Sequence, residues 1–294
     1  MLLFADTRTG SSSLLFLIRK VYDGVRRLRG EITCSEKHEE IPFNSIKTST
    51  VDDRLIECIG EPWHSGVVHH FFGQTLYNKL YEGKIEKHWE TLHNESWDII
   101  RDVHTNLYQL SYGGKHIWSH LPPAINFALL HKSISEGHSI IFLDRRNIGI
   151  KSLSHMLAEQ TKQWGWYKEE PVFEDIDFER LDFLIDRYRT TKRDYVNFLE
   201  SYKNVYYLTY EDLYTLESYN DKLDVIYDLL DFLGVDDKSV LDSTNVIKGC
   251  KRALGSSRKQ NTYDRLRAIP NISDVSKFIK NKCNGEVILP EFDL

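Results

Sequence analysis

The chain is poor in the features that mark several protein classes. Its four cysteines, Cys34, Cys58, Cys250 and Cys283, are scattered with no Cys-x-x-Cys pair and no His/Cys ligand spacing. That argues against a disulfide framework and against structural zinc, and leaves reduced thiols in a cytoplasmic protein as the expectation. No apolar stretch is long enough to cross a bilayer, and Asp6 and Arg8 interrupt the opening apolar run before it could act as a signal segment. No membrane partner or Golgi-type anchor is expected. A dominant charge sign is also missing: 38 basic and 44 acidic residues are interspersed to a formal charge of −6. No sequence-wide field therefore attracts nucleic acid or another polyanion, and any basic site must be local. Nor does any turn carry Gly-x4-Gly-Lys-Ser/Thr, the loop of nucleoside-triphosphate binders.

What is present starts at the first residues. Met1-Leu-Leu-Phe-Ala-Asp-Thr-Arg-Thr-Gly-Ser-Ser-Ser13 passes from an apolar run through a cationic, Gly/Ser-rich turn into an amphipathic pattern. That is a strand, a turn and a helix start near Ser11. Such a turn exposes successive backbone N–H groups and hydroxyls at the positive end of a helix, so its natural guest is a phosphate or a similar oxyanion. Arg8 supplies a cation, and Thr9, Gly10, Ser11, Ser12 and Ser13 supply amides and hydroxyls.

Leu14, Leu17, Ile18, Val21, Tyr22 and Val25 recur at helical spacing and end in Arg26-Arg27-Leu28-Arg29-Gly30, a helix with cations at its C-terminus. Glu31 to Ser35 reads as a short strand. Residues 40–112, with Trp63, His64, His69, His70, Phe71, Phe72, Trp89 and Trp97, read as an aromatic-rich helical insertion on the acceptor side. Their histidines fit no metal-binding helix pair with an acid, so no metal is expected. Further strands are expected at Lys115–Trp118, Ser139–Leu143 and Asn204–Leu208. Helices are expected after Pro122-Pro123, over Asn147–Trp164, over 177–202 and over Asp221–Leu233, the last stopped by Gly234. With 41% hydrophobic residues, residues 1–294 can bury one α/β core. The alternation implies three layers, a central parallel sheet of about four or five strands flanked by helices, with ligands at the strands' carboxyl ends.

A second anion position follows another apolar strand. Leu143-Asp-Arg-Arg-Asn147 places Arg145 and Arg146 where a strand stops and a helix begins. On that helix Ser152 and Ser154 compete for the same anion. Ser154 lies roughly 85° and Ser152 roughly 115° from the centre of the apolar face set by Ile150, Leu153, Met156, Leu157 and Trp164, which favours Ser154.

Thr7 to Ser13 resembles the 5′-phosphosulfate loop of PAPS-dependent sulfotransferases. Arg145-Arg-Asn147, Ser154, Gln160-Thr161 and Trp164 resemble the 3′-phosphate segment of the bacterial and carbohydrate members. Asn204 to Leu213 resembles their strand ending in Tyr-Glu-Asp-Leu, whose tyrosine, here Tyr210, approaches adenine. Arg258-Lys-Gln260, followed by Ile269-Pro-Asn271, resembles the late loop that closes on the 3′-phosphate, which brings in Arg258 and Lys259. The four segments stand in the family's order, and the resemblance does not cover residues 40–112.

The resemblance implies a P-loop-like fold. It also implies metal-free transfer of a sulfuryl group from 3′-phosphoadenylyl sulfate (PAPS) to an acceptor hydroxyl, releasing adenosine 3′,5′-bisphosphate (PAP). Arg8 and the turn would neutralise the leaving phosphate, arginine serving as a clamp that cannot give up its proton. Two bases stay open. His120, in Ser119-His-Leu-Pro122, resembles the His-Leu-Pro of cytosolic members, although Trp118 stands where those carry lysine. Glu36, in Cys34-Ser-Glu36, resembles the glutamate base of bacterial and carbohydrate members. The acceptor class spans small-molecule and carbohydrate hydroxyls. The competing expectations are a P-loop-like kinase or NTPase, disfavoured by the missing Gly-Lys, and a non-catalytic nucleotide-binding protein, disfavoured because Arg8 and both bases are retained.

Overall fold

The computed structural model describes residues 1–28, 59–60, 114–121, 123–163, 170–216, 218–235, 238–242, 244–255 and 263–283. In chain order the elements are β1 (Leu2–Ala5), α1 (Ser11–Leu28), β2 (Ile59–Gly60), β3 (Gly114–Ile117), a 3-10 turn (Trp118–His120), α2 (Pro123–Ser135), β4 (Ile140–Asp144) and α3 (Ile148–Thr161). There follow α4 (Phe178–Leu199), β5 (Val205–Thr209), α5 (Tyr210–Tyr214), α6 (Tyr219–Phe232), a 3-10 turn (Lys238–Asp242), α7 (Thr244–Leu254), α8 (Tyr263–Arg267) and α9 (Ile272–Lys282).

The strands form one sheet in the order β2-β3-β1-β4-β5, and every pair is parallel. β1 and β4 are buried along their whole length, which is why they read as unbroken apolar runs. Successive side chains alternate between faces. Leu3, Ala5, Ile141 and Leu143 pack with Leu14, Leu17 and Ile18 of α1 and with α6 and α7. Leu2, Phe4, Ile140 and Phe142 pack instead with Ile125 and Leu129 of α2 and Tyr195 and Leu199 of α4. The result is the three-layer α/β arrangement expected from the alternation of elements.

On the second face the aromatic rings interlock. Trp118 stacks on Phe142 with centroids 5.2 Å apart, and Tyr195 meets Phe4 edge-on at 5.1 Å. Such pairs contribute about 0.5–1.5 kcal/mol each beyond the area they bury.

Some expected boundaries shift. Trp118 leaves the strand for the 3-10 turn, and the helix expected to reach Trp164 stops at Thr161, where Lys162 turns left-handed with φ 56°. Ile59–Gly60 pairs with β3 as a strand, a pairing that the reading of 40–112 as a helical insertion did not include. The expected strand over 31–35 and the body of the 40–112 insertion lie outside the described residues.

The register decides where the loops emerge. Ala5 stands level with Ile117 and Leu143, and Asp144 with Thr209. The turn after β1, the 3-10 turn after β3, the segment after β4 and α5 after β5 thus crowd one edge of the sheet. After β1 the chain covers one face with α1, whereas after β4 it reaches α4 on the other. In open α/β sheets, connections that diverge in this way set a crevice between the strand tips, and ligands take that position.

Candidate functional site

The turn after β1 is held open by its own side chains. Asp6 accepts the Thr7 amide at 2.7 Å through Oδ1, and its carbonyl accepts the Thr9 hydroxyl at 2.8 Å. Arg8 (φ 65°) and Gly10 (φ 77°) both adopt the left-handed region. For Arg8 that conformation costs on the order of 1–2 kcal/mol, the kind of strain that collects at ligand clamps. α1 then starts at Ser11, with Ser13 and Leu14 N–H donating to the Gly10 carbonyl. The amides ahead of them lie at the positive end of the helix.

Arg8 reaches across the crevice to α3, where its Nε donates to Ser154 Oγ at 2.9 Å. Ser152, two residues earlier, is fully buried. Gly10 is backed by rings from α5: a Cβ added there would lie 2.6 Å from Tyr214 and 3.3 Å from Tyr210. The Tyr214 hydroxyl donates to the Gly10 carbonyl at 3.0 Å. Burial holds that phenol far above its ordinary pKa, so it stays a donor.

The second cationic position adjoins the first. The Arg145 guanidinium lies 4.3 Å over the Tyr210 ring, with Nε 3.7 Å from Glu211. The Glu211 carboxylate also accepts the Arg146 amide at 2.7 Å and the Asn147 amide at 3.1 Å. An internal carboxylate therefore takes the first amides ahead of α3, and an outside anion beside Arg145 must rely on side chains. Arg146 points outward, 65% exposed, and pairs with Asp212 at 2.6 Å. Arg8, Ser154, Arg145 and Tyr210 thus gather about Gly10 at one edge of the sheet, and Arg146 braces the strand end.

One cation there escaped the sequence reading. Lys115 of β3 is 1% exposed, and its ammonium donates to Ser12 Oγ at 2.8 Å. A lysine at the start of an expected strand was the available signal. Nearby, buried Asn126 donates to the carbonyls of Trp118 at 2.8 Å and Leu121 at 3.1 Å, bracketing the turn that carries His120. His116 Nε2 donates to the Asn126 carbonyl oxygen at 2.6 Å. The backbone of His120 is therefore fixed at the carboxyl edge. Glu36, Arg258 and Lys259 lie outside the described residues.

Beneath the turn runs a line of charge. Lys151 of α3, 1% exposed, pairs with Asp6 at 2.7 Å and Asp144 at 2.8 Å, and Lys192 pairs with Asp144 at 3.0 Å. Burial opposes the charge on Lys151, but Asp144 and Asp6 outweigh it and hold the ammonium above its ordinary pKa. Burial likewise opposes the charge on Asp144, and Lys151 and Lys192 outweigh it, holding the carboxyl below the usual range. The line continues through Tyr188, whose phenol burial pushes up to about 12, to His155 Nδ1 at 2.7 Å and from Nε2 to Glu159 at 3.2 Å.

Burial lowers the His155 pKa below 6.5 against the opposing pull of Glu159. The unfolded chain takes up a proton as pH falls through that value while the folded chain resists, so this contribution to stability is present at higher pH and lost on acidification. His155→Gln, which can still accept from Tyr188, is expected to narrow the melting-temperature gap between about pH 7.5 and about pH 5.5. An unchanged gap would contradict this role; the similarly lowered His138 contributes equally to both chains.

Among the described residues no group of three or more His, Cys, Asp or Glu side chains could hold a metal ion, and no helix is long and apolar enough to cross a membrane. Comparison with protein-family models, with curated proteins and with solved structures finds no match to the chain.

Proposed function

We propose that the chain is a PAPS-dependent sulfotransferase of the cytoplasm, acting on a small-molecule or carbohydrate hydroxyl. The observation that carries this reading is the meeting of Arg8 with Ser154, 2.9 Å apart across 146 residues of sequence, beside an Arg145 stacked on the ring that backs Gly10. Two cationic positions flanking one glycine turn suit a nucleotide that carries phosphate at both ends. A triphosphate site wants lysine directly after the glycine, and Ser11 stands there.

In this reading Arg8, the amides of Thr9 to Ser12 and the hydroxyls of Ser11 to Ser13 hold the 5′-phosphate. Arg145 and Ser154 hold the 3′-phosphate, Arg258 and Lys259 close over it, Tyr210 lies by the base, and Arg146 steadies the strand end through Asp212. The acceptor oxygen bonds to sulfur as the bond from sulfur to the 5′-phosphate oxygen breaks. The hydroxyl proton passes to the base, and Arg8 meets the charge that appears on the leaving phosphate. His120, on the turn whose carbonyls Asn126 holds, is taken as the base, with Glu36 as the alternative.

Binding to the folded state alone raises the melting temperature. PAP is expected to do so and ATP to have little effect, with radiolabelled sulfate then moving from PAPS to a hydroxyl acceptor. Stabilisation by ATP alone would replace this reading with a kinase or NTPase, and PAP binding without transfer would leave a non-catalytic binder. His120→Ala should lower turnover by about 100-fold or more, within the usual range for a general base. A near-normal rate would pass the role to Glu36.

A further inference from the structure

We propose that Lys151 is a positioning residue that sets the spacing between the two anion positions of the crevice. The proposal rests on the reading of that crevice as a nucleoside bisphosphate site. The β1–β4 ladder ends at Ala5 and Leu143, so backbone pairing no longer fixes the gap where the two loops diverge. The Lys151 ammonium fills that role, 2.7 Å from Asp6 and 2.8 Å from Asp144.

Each carboxylate stands beside a cation of the site. Asp6 holds the Thr7 amide through its carboxylate and the Thr9 hydroxyl through its backbone carbonyl, and so shapes the backbone that carries Arg8. Asp144 is the residue before Arg145. Three residues beyond Lys151, one helical turn away, Ser154 accepts from Arg8, so α3 grips the turn twice. A tether through three buried charges is a poor route to stability alone, since apolar replacements often do as well. Two ammoniums, Lys151 and Lys192, face two carboxylates, so the cluster adds no net charge to the crevice. Its contribution is geometric.

The test is the ratio of affinities for PAP and adenosine 5′-monophosphate, measured by calorimetry at a temperature where every variant is folded. Two correctly spaced sites gain from simultaneous engagement, so the unaltered chain should prefer PAP strongly. Lys151→Met should reduce that preference by about tenfold or more while leaving the monophosphate affinity within about threefold. Should Lys151→Met fail to fold, Asp6→Asn/Lys151→Met removes the bridge with its charges balanced, leaving Asp144 paired with Lys192, and should show the same loss. A retained ratio in either folded variant overturns the proposal, as does an equal loss in Lys192→Met, which takes a cation from Asp144 without spanning the strands. A parent chain that binds PAP no better than the monophosphate defeats the bisphosphate reading itself, and this inference with it.

Discussion

Arg8→Ala is expected to lower sulfuryl transfer by about 10²- to 10³-fold, the usual cost of deleting one group aimed at developing charge. The guanidinium is the cation carried by the turn itself, and its Nε is held 2.9 Å from Ser154 Oγ. Charge on the leaving phosphate grows only as the bond to sulfur breaks, so kcat and kcat/KM should fall together, with the KM for PAPS changing less. The backbone should keep its shape, because Asp6 holds the turn through Thr7 and Thr9 rather than through Arg8. Arg8→Lys should recover part of the loss, since charge is retained and the planar fork is not. Ordinary turnover in Arg8→Ala would remove the leaving-group role.

The largest effect on stability is expected at Gly10. Alanine there meets two separate costs. Its φ of 77° is the left-handed region, about 1–2 kcal/mol for a residue with a Cβ. The added carbon would sit 2.6 Å from the Tyr214 ring, and displacing that ring breaks its hydrogen bond to the Gly10 carbonyl, an overpacking cost of about 1–3 kcal/mol. Gly10→Ala should therefore lose about 2–5 kcal/mol in urea unfolding, together with PAP-dependent stabilisation. Gly137→Ala separates the two terms: φ there is 76°, with nothing within 4 Å of the added Cβ. An equal loss at both positions would show that the ring contact is unimportant.

Local pattern carried much of this into view. The strand–turn–helix at the first residues, the arginines at the end of β4 and the choice of Ser154 over Ser152 all follow from apolar runs and helix phase, which span a few residues at a time. The partnerships that define the crevice are not local. Lys151, flanked by Ile150 and Ser152, has the phase of an ordinary helix position, and its burial makes sense only once Asp6 and Asp144 arrive from two other strands. Lys115 meets Ser12 across 103 residues. Glu211 reads as a first-turn acid suited to its own helix, whereas its carboxylate serves the amides of Arg146 and Asn147. In each case the fold supplies a partner that periodicity cannot name.

The strand order also bears on biosynthesis. β1 lies inside the sheet, yet its neighbours begin at Gly114 and Ile140, and the rings that back Gly10 belong to residues 210 and 214. A ribosome releasing the chain in sequence leaves this apolar strand without its full set of companions until all three have emerged, a long wait for contacts of such high sequence separation. Until then the nascent segment is sticky, a natural client for a chaperone. The edge of the sheet that carries Arg8 and Arg145 is accordingly among the last parts of the molecule to be completed.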